Sequence, residues 1–164
     1  MSKVFVALGS NLGDREAHLL QGVQDIEQIV DCSGTVSSSI YETNPMGPQD
    51  QPDYLNSVCS FQCDLEPMKL LAELKQIERQ HGRTQSTQRW TARPLDLDIL
   101  LFGDRQIDTQ SLTIPHIGIA QRSFVLWPLA ELDETLQVPG LGSVSELMER
   151  CQRFGIKSYR SVRD

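Results

Sequence analysis

An α+β fold of the split βαβ type is predicted for this chain by three observations. Two stretches carry apolar residues at helical spacing, 16–30 and 67–81. Four strand-like runs alternate with them in the order β-α-β-β-α-β, the ferredoxin-like core. Beyond Phe102 only short extended pieces and helical patterns follow, which predicts a C-terminal helical appendix on a mainly antiparallel sheet flanked by helices. No linker, internal repeat or low-complexity segment interrupts the 164 residues, so residues 1–164 read as a single domain, long enough to bury a core.

In order, Lys3 to Leu8 (KVFVAL) reads as a buried strand. It runs into GSNLGDR, where Gly9 and Gly13 permit a tight turn. No G-K-[ST] follows, so this is not a phosphate-cradling P-loop. A helix from Glu16 to Val30 follows, capped by Asp14, with Leu19, Val23, Ile26 and Val30 as its stripe. Gly34 breaks the chain before a second strand, Val36 to Thr43. Pro45, Pro48 and Pro52 then stiffen one short connection, because proline pre-sets φ. Tyr54 to Cys63 is a third strand, with Leu55, Cys59, Phe61 and Cys63 on one face and Asn56 on the other. Pro67 starts the second helix and Gly82 ends it, Leu70, Leu71, Leu74 and Ile77 forming its stripe. DLDILLF is the fourth strand. Gly103-Asp104 turns into a short strand near Gln106 to Asp108, and Leu112 to His116 is extended. Ile119 to Leu132 reads as a helix kinked or ended by Pro128, Thr135 to Pro139 as a minor strand, and Ser143 with Glu146 as the capping box of a last helix.

The net charge of −7 argues against a dedicated nucleic-acid binder. Locally the sign reverses. From Lys75 to Leu95, Lys75, Arg79, Arg83, Arg89 and Arg93 face the single acid Glu78, a basic island suited to a small polyanion. Cys32, Cys59, Cys63 and Cys151 complete no zinc pattern and read as reduced core thiols. The N-terminal apolar run is too short for a signal segment, and no stretch approaches membrane-spanning length, so a cytoplasmic protein without membrane or nucleic-acid partner is expected.

The chemistry concentrates in RWTARPLDLDILLFG, residues 89–103. On a strand Asp96 and Asp98 share one face, their Cα atoms about 7 Å apart, with Leu95, Leu97 and Ile99 opposite. Two covered carboxylates repel and lose hydration, and a bound Mg²⁺ removes both penalties; a solvated edge strand is the plain alternative. With Mg²⁺ bridging nucleotide phosphates, Arg83, Arg89 and Arg93 would neutralise charge as a phosphate bond breaks, their planar forks pairing two oxygens at once. Trp90 sits in a polar loop, where stacking suits it better than core packing. Tyr54 is a stacking or a core residue. Asn56 is a solvated amide or a reader of a heterocycle edge, and His116 a turn cap or a ligand contact.

Five segments together, ALGSNLGDR, YETNPMGPQDQPDYLN, RWTARPLDLDILLFG, LTIPH and QRSFVLWPL, resemble the 6-hydroxymethyl-7,8-dihydropterin pyrophosphokinases of folate synthesis from about Val4 to Leu132. The resemblance implies transfer of pyrophosphate from ATP to the pterin hydroxymethyl group with release of AMP, and two Mg²⁺ ions held by Asp96 and Asp98. It implies a pterin pocket on Thr43, Asn44, Met46, Tyr54, Asn56 and Phe124, with Tyr54 and Phe124 sandwiching the ring and Trp90 closing over it. It places ATP contacts on Glu78, Arg89, Trp90, Arg93, Ile99, Thr113, His116 and Arg122, and assigns Arg83 and Arg93 to the transfer itself. Gln85, Ser86, Ser111, Lys75 and Ile117 depart from the pattern usual in bacterial relatives. ATP and the pterin alcohol are the expected partners and a monomer the expected state. A ligand-binding regulatory module and an RNA-binding sheet are the competing classes. The first would lack a metal pair beside an Arg cluster, and the second would show paired exposed aromatics on a strand.

Overall fold

Every second residue of Ser2–Ser10 (β1) turns to one face, Val4, Val6 and Leu8, while Phe5 and Ala7 turn to the other, and all five are apolar. A strand apolar on both faces belongs in the middle of a sheet covered on both sides. The computed structural model, which describes residues 1–44, 52–82, 94–151 and 156–160, places it there. Strand β1 lies antiparallel between Tyr54–Cys63 (β4) and Asp96–Phe102 (β5). Cys32–Ser37 (β2) and Ile40–Thr43 (β3) share the other edge of β4, and Ile156–Arg160 (β10) pairs outside β3. Two-residue ribbons form from Ile107–Asp108 (β6) with Thr113–Ile114 (β7), and from Gln137–Val138 (β8) with Gly142–Ser143 (β9).

Helices Arg15–Glu27 (α1) and Pro67–Gln80 (α2) cover one face, burying Leu19, Ile26, Leu70, Leu74 and Ile77 against Val4, Val6 and Leu8. Helices Ser123–Asp133 (α3) and Val144–Arg150 (α4) cover the other, with Val125, Leu126, Leu129 and Leu147 against Phe5, Val58 and Leu100. Helices this short are marginal alone. Burial at about 2 kcal/mol per large apolar side chain is what holds them. One further link joins α1 to the end of α2. His81 Nε2 lies 3.0 Å from Asp25 Oδ2, and its Nδ1 lies 2.7 Å from Nδ1 of His18. One ring nitrogen donates to the other across the His18–His81 contact, the direction set by the tautomers.

Several expected boundaries move for local reasons. Asp14 does cap α1, its side chain accepting from Ala17 N–H at 3.1 Å. The helix ends before Val30, which is exposed, because Gln28 and Ile29 tighten the last turn with three-residue bonds and Asp31 takes φ 71°. Ile29 fills the core instead. The single expected strand 36–43 is two. Between them the Ser38 hydroxyl accepts from Val58 N–H at 2.9 Å and donates to the Ser39 carbonyl at 2.8 Å, taking a place in the ladder that a backbone group would hold. Gly34 does not break the chain but sits in β2 at a register shift. Pro128 lies inside α3 without ending it, and α3 begins at Ser123 rather than Ile119 because residues 116–121 form turns. Gly9 lies within β1 rather than at a turn, while Gly13 takes the positive φ of 72°. The C-terminal segment adds β10 to the main sheet as well as α4. Cys59 and Cys63 share the α1/α2 face as expected, and burial pushes the Cys59 thiol up to about 12.

Candidate active site

The site is built on the sheet face that α3 covers. Alternation sends Asp96 and Asp98 to that face while Leu97 and Ile99 enter the core on the other. Pairing then sets their neighbours. Gly9 of β1 stands opposite Asp96 on one side and Asn56 of β4 on the other, and Ala7 stands opposite Asp98. Tyr54 and Thr43 are paired on the same face, and Asn56 Nδ2 donates to Thr43 Oγ1 at 2.7 Å, which orients the amide. Phe124 and Arg122, at the start of α3, form the roof. The Arg122 guanidinium carbon lies 5.8 Å from the Phe124 ring centre.

These residues line a cavity of about 250 Å³ that includes Thr43, Asn44, Tyr54, Asn56, Phe124 and both aspartates. A second cavity of about 290 Å³ lies past β5, lined by Lys75, Glu78, Ile99 and Thr113. Asp96, Asp98, His116 and Ile117 line both cavities and form their common wall. Ser111 and Lys75, two of the departures from the usual pattern, line the second.

The wall is polar and held. His116 N–H donates to the Leu100 carbonyl at 3.0 Å, and His116 Nδ1 accepts from Gly118 N–H at 3.0 Å. That fixes Nδ1 as acceptor and leaves Nε2 to carry the proton of the neutral ring. Burial first, then the Arg122 charge, hold His116 below its ordinary value, against an opposing pull from Asp96. Glu78, buried on α2, accepts from Leu97 N–H at 2.7 Å, which ties the outer edge of β5 to the helix.

Among the described residues no three His, Cys, Asp or Glu side chains are grouped to hold a metal. The two carboxylates of one strand face remain. Mg²⁺ commonly binds through one or two carboxylates together with waters and substrate phosphates, so this donor set fits an ion that arrives with a nucleotide. Of the expected site residues, Thr43, Asn44, Tyr54, Asn56, Phe124, Arg122, His116, Asp96 and Asp98 meet at the first cavity, and Glu78, Ile99 and Thr113 at the second. Met46, Arg83, Arg89, Trp90 and Arg93 lie outside the described residues.

Three contributors were not expected. Asn11 Nδ2 donates to the Pro52 carbonyl at 3.1 Å. Arg15 Nη1 donates to the Asp53 carbonyl at 2.8 Å and to Glu42 Oε2 at 2.9 Å. Lys157 Nζ lies 3.4 Å from the other Glu42 oxygen. Together these fix the backbone entering Tyr54. The only sequence signal was the polarity of SNLGDR, which reads equally well as a connection.

A profile of the family described as 7,8-dihydro-6-hydroxymethylpterin-pyrophosphokinase (HPPK) matches residues 5–134. The chain belongs to this family. Within it the chain is similar to the 2-amino-4-hydroxy-6-hydroxymethyldihydropteridine pyrophosphokinase of Haemophilus influenzae, 41% identical over 92% of this chain and 93% of that one. It is similar also to the enzyme of the same name from Bacillus subtilis, 44% identical over 81% and 79%. A solved HPPK-DHPS of Plasmodium falciparum shares the fold at a TM-score of 0.70 and 13% identity, over 91% of this chain. The chain spans 45% of that two-part protein.

Proposed function

We propose that this protein transfers the pyrophosphoryl group of ATP to the hydroxymethyl oxygen of 6-hydroxymethyl-7,8-dihydropterin, releasing AMP, in the route to folate. The observation that supports this best is the common wall. Asp96 and Asp98 touch both cavities, so an acceptor in the first and a nucleotide in the second would meet at these carboxylates. Family membership names the reaction.

In this reading Tyr54 and Phe124 stack on the two faces of the pterin, and Asn56, oriented by Thr43, reads its edge. Asp96 and Asp98 would hold Mg²⁺, which when bound screens the phosphates and draws electron density from the β-phosphorus. The acceptor oxygen bonds to that phosphorus, the bond to the α,β-bridging oxygen breaks, AMP leaves with that oxygen, and the hydroxyl proton passes to solvent. The His116 Nε2–H, on the common wall, contributes a donor on the nucleotide side, Arg122 faces the site from the acceptor side, and Arg83, Arg89 and Arg93 supply further positive charge, with Trp90 as cover. Glu78, Ile99 and Thr113 line the nucleotide base. Because no described side chain stands as a strong base, positioning carries most of the rate. The same reading takes the protein to work as a monomer in the cytoplasm, without a nucleic-acid partner. Among the described residues no helix is long and apolar enough to cross a membrane.

The test is turnover with ATP, Mg²⁺ and the pterin alcohol. Pterin-dependent AMP is the expected product. ADP in its place would mean single phosphoryl transfer, and no pterin-dependent turnover would favour a binding module. Omitting Mg²⁺ should stop the reaction.

A further inference from the structure

We infer that Gly9 determines which acceptors the site takes, its bare Cα forming the saddle over which the acceptor's hydroxymethyl arm crosses toward the carboxylate pair. This rests on the reading above. The observation is a matter of register. Gly9 is paired with Asn56 on β4 and with Asp96 on β5, and paired residues of antiparallel strands present their side chains to the same face. Asn56, Gly9 and Asp96 therefore form one row across three strands. Strands lie about 4.8 Å apart, so the row runs roughly 10 Å from ring reader to phosphate side. Its middle place carries no side chain.

The backbone conformation does not ask for glycine there. Gly9 sits in the strand without the left-handed φ that would demand it. A glycine inside a strand weakens the strand relative to alanine and often marks the close approach of a ligand. A methyl at Gly9 would lie 3.2 Å from Asn56 Oδ1 and 3.5 Å from Tyr54 Cδ1. To admit it, the Asn56 amide, held by Thr43, has to give by a few tenths of an ångström. The methyl also intrudes on the cavity, because Gly9, Tyr54 and Asn56 all line the space the acceptor would use. The acceptor arm is one carbon and one oxygen long, too short to route around an added methyl.

The experiment compares wild type with Gly9→Ala. The thermal midpoint should change little, the affinity for a non-hydrolysable ATP analogue should stay within twofold, and the KM for the pterin alcohol should rise tenfold or more. In parallel, wild type is offered an acceptor with a methyl on the arm carbon, 6-(1-hydroxyethyl)-7,8-dihydropterin. Its kcat/KM should fall at least tenfold below that of the unbranched alcohol, a measurement that stands even if Gly9→Ala fails to fold. An unchanged acceptor KM in Gly9→Ala, an equal loss of nucleotide and acceptor affinity, or equal use of the branched acceptor by wild type would each overturn the assignment. Wild type making no AMP from the unbranched alcohol would refute the function itself, an outcome separate from a working enzyme indifferent to position 9.

Discussion

Replacing Arg15 tests whether the pterin side of the site is held from outside it. Arg15 uses one nitrogen twice, on the Asp53 carbonyl at 2.8 Å and on Glu42 at 2.9 Å. Hydrogen bonds to charged groups are worth about 1.5–3 kcal/mol where they are buried. Here the side chains are 26% and 18% exposed, so solvent takes part of that. Lys157 still faces Glu42 after the change, so no carboxylate is stranded. A loss near 1–2 kcal/mol is the reasonable sum for Arg15→Ala. Since Asp53 immediately precedes Tyr54, most of that loss should appear as freedom of the stacking ring. At about 1.4 kcal/mol per tenfold, pterin KM should rise roughly 5- to 30-fold. The second cavity, where the proposed function puts the nucleotide, lies past β5, so an ATP analogue should bind unchanged. Arg15→Lys should recover part of the effect, because a single nitrogen makes both contacts. Urea unfolding gives the stability term, and steady-state kinetics in each substrate give the split. A destabilised Arg15→Ala with wild-type pterin KM would show that the contact braces the fold and not the pocket.

Three further outcomes are expected. Asp98→Ala should lower turnover about 100-fold or more, the few kcal/mol that a lost metal ligand removes from transition-state stabilisation, with an unchanged thermal midpoint; near-wild-type rates across a Mg²⁺ titration would sink the carboxylate assignment. Glu78→Ala removes the acceptor of the buried Leu97 N–H and should cost about 2 kcal/mol of stability, against under about 1 for Glu78→Gln, which keeps an oxygen; equal losses in the two variants would contradict this. His18 is held below its ordinary 6.5 by burial and then by His81, against Asp14. Between the lowered folded pKa and 6.5 the unfolded chain binds more protons, so this contribution is complete above pH 6.5 and is lost as pH falls through that window. His18→Asn should therefore lose less stability than wild type between pH 7.5 and 5.5, with the share of His116 common to both proteins; parallel losses in urea midpoint would remove His18 from the account.

What the sequence made legible was alternation along one strand. β4 and β5 stood out because apolar residues recur at every second place between polar stops, and the common face of Asp96 and Asp98 followed at once. The break at Ser38 did not show, since it depends on a hydroxyl bonding Val58, twenty residues on. Nor did β10, a short edge strand of mixed polarity whose partner β3 lies more than a hundred residues earlier. Asn11 and Arg15 were missed for the same reason, as their acceptors are 41 and 38 residues away.

Register is the deeper limit, because the site consists of rows across strands. Sliding β5 by two residues along β1 would leave every side chain on its present face, so alternation cannot distinguish the slipped sheets from the real one. Burial can. The slip that carries Asp96 opposite Ala7 also carries Asp98 next to Phe5, which is 3% exposed in the cluster with Ile119 and Leu126. An unpaired carboxylate there would cost several kcal/mol, comparable to the stability of a small domain. The opposite slip would draw Leu100 out of that cluster toward the open end where Gly9 lies, giving up about 2 kcal/mol of apolar burial. The observed register avoids both penalties, and in doing so it sets Asp96 beside Gly9 and Asn56. The packing of the α3 side thus decides where the carboxylates stand, which means that mutations in Phe5, which lines neither cavity, should disturb the site without touching it.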